Sequence, residues 1–173
     1  MIGSILLLGF VTAERLGELV LARANTARLL ASGAREIGAG HYPIIVALHA
    51  IWIAGLWGLT WNRPIEAGWF AAFVVLEILR VWTLGTLGRR WTTRILIVPG
   101  EALVARGPYR FIRHPNYLVV IGEIAVLPLC FGLWSYAAIF SLLNAIVLFV
   151  RIRAEGDALR GLRGQHSVLQ AQP

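Results

Sequence analysis

The chain has 173 residues, of which 58% are hydrophobic and only 14% charged, and its mean hydropathy is +0.70. Those figures exclude an ordinary soluble domain and leave room for one membrane domain spanning 1–173. The net charge of +7 is carried by 16 arginines with no lysine, set between apolar runs without a basic helix or finger pattern, which argues for charge flanking membrane spans and against nucleic acid as a partner.

A bilayer core needs roughly 20 apolar residues per crossing helix. The first run, 2–22, has neither a basic leader region nor a small-residue cleavage site, so it reads as a retained span. Runs 43–61 and 65–87 follow. The last apolar stretch, 117–150, is 34 residues long, too long for one straight span. Pro128 and the stretch FGLWSY divide it into a helical hairpin of 117–131 and 135–150. The expectation is an all-α integral membrane protein of about five transmembrane helices, with a loop at 88–116 and a tail at 151–173. Segment 23–42 carries three arginines, segment 88–116 six and the tail four. With five crossings these thirteen fall on one side, which places the N-terminus outside and the C-terminus in the cytoplasm.

Charges inside spans are costly unless paired or functional. Arg15 and Glu18 are spaced i, i+3 in the first span, and Glu77 and Arg80 repeat that spacing in the third. Together with Glu14 they read as helix-to-helix pairing. Glu123 lies close to the polar loop in sequence and stays open to a functional role. In the last span Asn144, Leu148, Arg151 and Glu155 share one helical face, from which Arg153 points away. Cys130, the single cysteine, reads as a small packed hydrophobe. His41, His49, His114 and His166 fall at no metal-ligand spacing, so no metal site is expected; His49, alone in the second span, reads as a hydrogen-bonded packing residue.

The densest polar stretch is RGPYRFIRHPNY, residues 106–117. Gly107 with Pro108, and then Pro115, fix turns in it, so the loop can be a formed structure that wraps a ligand. The longer run LVARGPYRFIRHPNYLVVIGE, followed by a hydrophobic hairpin and RIRAEGDAL, resembles the isoprenylcysteine carboxyl methyltransferase family over about residues 80–159. The earlier ERLGELVLARAN and GHYP are similar to its short bacterial branch, which includes methyltransferases of phenolic lipids and alkylpyrones.

The resemblance implies methyl transfer from S-adenosylmethionine (SAM) to an oxygen of a lipid-like acceptor that enters from the bilayer, in a bacterial inner membrane, with no obligate protein partner. It implies that His114 and Tyr117 line the cofactor site and that Arg113 borders the reacting oxygen. Residue chemistry adds to this. Arg110, Arg113, Arg151 or Arg153 suit the cofactor carboxylate; Glu155, with Asn144, suits its hydroxyls or amine; Tyr109 or Tyr117 suits the sulfonium. Pro115 shapes the same wall. A phenolic acceptor has a pKa of about 10 and must lose a proton, for which His114 or Glu123 is the candidate base, whereas a prenylcysteine carboxylate is already ionised. Trp91, Thr92 and Arg94 are candidates for bordering the acceptor, in a pocket of apolar side chains such as Trp52, Trp57 and Trp82. The family commonly has two adjacent glutamates where this chain has Glu155, Gly156 and Asp157. A phenolic or pyrone lipid is favoured over S-prenylcysteine, and a small transporter or a non-catalytic lipid-binding protein is the alternative of another class.

Overall fold

The computed structural model describes residues 2–98, 104–112 and 114–170, without the side chains of His41, Glu155 and residues 157–170. Five α-helices make the fold: α1 (Ile2–Ala31), α2 (Tyr42–Leu59), α3 (Ala67–Leu87), α4 (Pro115–Leu129) and α5 (Trp134–Gln170). The expected all-α architecture holds, with one addition that hydropathy did not signal. Strand β1 (Arg35–Ile37) pairs antiparallel with β2 (Ile95–Ile97), Arg35 opposite Ile97 and Ile37 opposite Ile95. Strands of three residues are too short to carry a readable alternation.

Local chemistry sets the helix ends. α1 continues to Ala31 rather than stopping at 22, and α5 runs on through the expected tail to Gln170. Proline stands in the first turn of α4 (Pro115), where its missing N–H has no helical partner to lose. The hairpin between α4 and α5 falls at 130–133. There Gly132 has φ +66°, a left-handed conformation that a side chain would strain, and the Leu133 amide donates to Pro128 O at 3.1 Å.

Three stretches, Tyr42–Leu59, Ala67–Arg90 and Trp134–Ala154, are long and apolar enough to cross a membrane, while α4 is a shorter apolar helix of 15 residues. Large apolar side chains cover the outside of the bundle, among them Leu6, Phe10, Val75, Val81, Leu142 and Phe149. A second apolar set, including Leu8, Val11, Trp52, Leu56, Phe73 and Leu127, packs inside. Helices apolar on both sides suit lipid outside and protein inside, and this is an integral membrane protein.

Backbone links define the two ends of the bundle. At one, the Glu66 amide donates to Cys130 O at 2.8 Å and the Arg63 guanidinium to Phe131 O at 3.3 Å, joining the α2–α3 connection to the hairpin turn. At the other, buried Asn25 donates to Gly88 O at 3.2 Å and Trp91 O at 2.7 Å, and Arg28 donates to Arg89 O at 2.6 Å. The β1–β2 ribbon sits at this same end. The arginine-bearing segments after α1 and after α3 therefore share one end, and Arg63 lies at the other.

Between helices in lipid, close packing replaces the hydrophobic effect as the cohesive force, and small residues permit it. Gly122 is such a point: a Cβ built there would lie 2.6 Å from Leu76 Cδ2. Gly122→Val should push α4 from α3 and destabilise the fold by about 1–3 kcal/mol. The readout is the melting temperature in detergent, and an unchanged value would contradict this packing.

Candidate active site

Four helices turn one stripe each toward a common cavity of about 440 Å³. From α2 come Tyr42, Ile45, Val46, His49, Ile53 and Trp57; their spacing alternates three and one or four residues, so they form one face. From α1 come Thr12, Arg15, Leu16 and Leu19, from α4 Asn116, Tyr117 and Val120, and from α5 Asn144, Leu148 and Arg151. Trp91 and Thr93 close the end nearest the ribbon. The size is that of a small-molecule site, and the lining is mainly apolar with a few converging polar groups.

The register of the walls is held by hydrogen bonds. Trp57 Nε1 donates to Thr12 Oγ1 at 3.1 Å, which ties α2 to α1. The Tyr42 and Thr93 hydroxyls lie 3.0 Å apart, and the Arg94 guanidinium caps the Tyr42 ring at 4.6 Å while pairing with Glu36 at 2.8 Å. At the polar end, Arg151 Nε donates to the Tyr117 hydroxyl at 3.1 Å and its guanidinium lies 5.7 Å from the Tyr117 ring centre. His114 stacks on that ring, with centroids 5.0 Å apart and planes 12° from parallel.

Deeper in, four charged side chains close a ring. Arg15 donates to Glu18 at 2.9 Å and to Glu123; Arg80 donates to Glu18 at 2.7 Å and to both oxygens of Glu123. Each carboxylate takes two guanidiniums and each guanidinium two carboxylates, so the ring is neutral and joins α1, α3 and α4. The expected i, i+3 pair of Arg15 with Glu18 is present. Arg80 does not take Glu77: its partners stand on other helices, and the Glu77 oxygens have no donor among the described residues.

Of the residues singled out from sequence, the cavity brings together Trp91, Tyr117, Asn144 and Arg151. His114 is exposed and reaches the cavity only through its stacking on Tyr117. Glu123 stands behind the lining with both oxygens held by arginine. Pro115 is the buried first residue of α4, Arg110 lies 5.9 Å from the Phe111 ring centre, and Tyr109 belongs to the same short 3₁₀ turn, Gly107–Arg110. Thr92 donates to Arg94 O at 2.7 Å and Arg94 serves the ribbon, so both brace the cavity mouth without lining it. Arg153 is exposed over Phe149. Arg113 and the Glu155 side chain lie outside the described residues. Among the tryptophans, Trp57 and Trp91 line the cavity, while Trp52 is buried in the core and Trp82 is exposed on the surface, so those two do not form the pocket.

The sequence alone did not single out Arg15, Glu18, Arg80, His49 and Tyr42 as cavity residues. A signal existed in α2, where Tyr42, His49 and Trp57 are seven and eight residues apart and so share a face, but the run is apolar all round and gives no inward direction.

Glu123→Ala should cost about 3–5 kcal/mol, because it strands Arg80, 2% exposed, with half its partners gone. Thermal unfolding in detergent measures this. A loss below about 1 kcal/mol, the range of exposed pairs, would mean that the ring is solvated.

The isoprenylcysteine carboxyl methyltransferase family matches residues 69–161, which cover nearly all of α3, all of α4 and the part of α5 that faces the cavity. The chain is also 39% identical over 160 residues to the uncharacterized protein YpbQ of Bacillus subtilis, covering 90% of this chain and 95% of that one. An uncharacterized protein of Haemophilus influenzae is 26% identical over 160 residues, covering 88% and 92%. No solved structure matches. The family match over more than half the chain, on an all-helical membrane fold, establishes that this protein belongs to the isoprenylcysteine carboxyl methyltransferase family of membrane methyltransferases.

Proposed function

We propose that the protein is a SAM-dependent O-methyltransferase whose acceptor is a lipid hydroxyl, of a phenolic or pyrone lipid rather than an S-prenylcysteine carboxylate. The observation that carries this reading is the cavity itself. At one end it holds a cation and an aromatic face, Arg151 and Tyr117, and along one wall an apolar stripe of α2. Leu16 and Val46 line it and are also 59% and 37% exposed on the bundle surface, which gives a lipid chain a lateral way in between α1 and α2.

The donor set fits SAM. Arg151 can take the carboxylate by a charge-assisted hydrogen bond, and Tyr117 offers a ring face to the sulfonium. Asn144 supplies an amide for hydroxyl or amine groups. Trp91 Nε1 is buried with no acceptor among the described residues, a donor that a bound ligand oxygen would satisfy. When bound, SAM supplies a methyl group activated by positive sulfur. The protein's own contribution is to align the acceptor oxygen and keep out water, through the packing of Trp57, Trp91 and the α2 stripe. Arg113, from the RHPNY motif, is the further residue proposed to border the acceptor oxygen. The arginine-rich end bearing the ribbon is proposed to face the cytoplasm of a bacterial inner membrane.

Calorimetry with detergent-purified protein tests the cofactor half. SAM should bind the wild type, and Arg151→Ala and Tyr117→Ala should each weaken binding roughly tenfold, equivalent to about 1.4 kcal/mol, with little change in melting temperature. No binding by folded wild type would overturn the methyltransferase reading and turn attention to lipid binding or transport.

A further inference from the structure

Two groups in the cavity have unused capacity, and both lie on α1 and α2, outside the family-matched residues 69–161. The first is His49. Its Nδ1 lies 2.8 Å from Ile45 O, one turn back on α2. A carbonyl can only accept, so Nδ1 carries a proton, and whenever the ring is neutral its lone pair sits on Nε2. The second is Arg15. Its two terminal nitrogens serve Glu18 and Glu123, but its Nε is buried with no acceptor among the described residues. A proton acceptor and a charge-bearing donor, each without a partner among the described residues, thus belong to two residues that line one cavity.

We propose that His49 and Arg15 form the acceptor-oxygen subsite, resting on the reading of the protein as a methyltransferase of lipid hydroxyls. His49 Nε2 takes the hydroxyl proton as the O–H bond breaks, and the electron pair stays on oxygen. Arg15 Nε–H donates to that oxyanion. The oxygen then forms its bond to the methyl carbon while the methyl–sulfur bond breaks, its pair returning to sulfur. The imidazolium gives its proton to water after the product leaves. The charged groups facing His49 from neighbouring helices are Arg15 and Glu18 on α1, Arg80 on α3, Glu123 on α4 and Arg151 on α5, with the Tyr117 hydroxyl on α4. Because Arg15, Glu18, Arg80 and Glu123 neutralise one another within their ring, the groups left to change charge during the reaction are the histidine, the acceptor oxygen and the sulfonium that gives up the methyl.

Other candidates for the base are less well provided. Glu123 is held by two arginines, and His114 is exposed off the cavity wall. A carboxylate acceptor would need no base, so the presence of one in the cavity favours a hydroxyl substrate.

The test uses full-length protein in detergent and a 4-nitrophenol bearing an alkyl chain, whose phenolate absorbs visible light. Bound to wild type, the probe should ionise at lower pH than in detergent alone. That comparison needs no variant, and an unshifted probe overturns the proposal. His49→Gln and Arg15→Lys should each reduce the shift, while SAM binding by His49→Gln stays within about twofold of wild type. In turnover, His49→Gln should lose about 100-fold on a simple alkylphenol near neutral pH, the usual contribution of a general base. The loss should shrink as pH rises or as the phenol is made more acidic. Undiminished turnover by His49→Gln, or an equal loss on every phenol, overturns the assignment while leaving the methyltransferase reading intact. Failure of wild type to bind SAM instead removes the reading on which it rests.

Discussion

The ring of Arg15, Glu18, Arg80 and Glu123 is the constraint on which the rest of the structure depends. A single charge in this interior would be costly, and an isolated pair would leave donors or oxygens bare. Closing the set as a cycle gives each of the four groups two charged partners and makes them neutral together. Because its members stand on α1, α3 and α4, the ring also fixes how those helices are rotated. That rotation turns the stripes of α1 and α4 toward α2 and α5, and the cavity exists between them. The structural role expected of these charges is therefore present, but it cannot be separated from the site, since Arg15, Glu18 and Arg80 are part of its wall.

Much of the scaffold was legible in the sequence because hydrophobic length and turn residues act locally. The five helices, the break near Pro128 and the shared face of Asn144, Leu148 and Arg151 all follow from neighbours a few positions apart. What stayed hidden depends on contacts between distant segments. Arg80 has a carboxylate three residues away in Glu77 and yet pairs with Glu18 and Glu123, 62 and 43 positions off, because helix rotation decides which groups meet. The β1–β2 ribbon joins Arg35 to Ile97 across all of α2 and α3. His49 is the plainest case. In a span apolar on every side, periodicity has no polar face from which to tell inward from outward, so a cavity residue and a packing residue look alike.

The molecule divides in two along its sequence. Family-matched α3 to α5 supply Tyr117, Asn144 and Arg151, the groups suited to a cofactor common to many acceptors. α1 and α2 supply the partly exposed Leu16 and Val46, the apolar wall, Arg15 and His49. On the proposed reading, this division would let acceptor preference change by substitution in the first two helices while the half proposed to hold the methyl donor is kept. The Asn25 and Arg28 contacts to residues 88–91 hold the two halves in register at the polar end.

The lateral route proposed between Leu16 and Val46 has a consequence for how such a protein would work in quantity. A ligand that arrives through the wall of the bundle is met at its density within the bilayer, in molecules per lipid, and water-phase concentration drops out of the encounter. Adding inert lipid or detergent would then slow capture by dilution in two dimensions even when total amounts are unchanged. On that route the membrane itself would be the reservoir that sets how full the cavity is, and the product would return to the same leaflet that delivered its precursor.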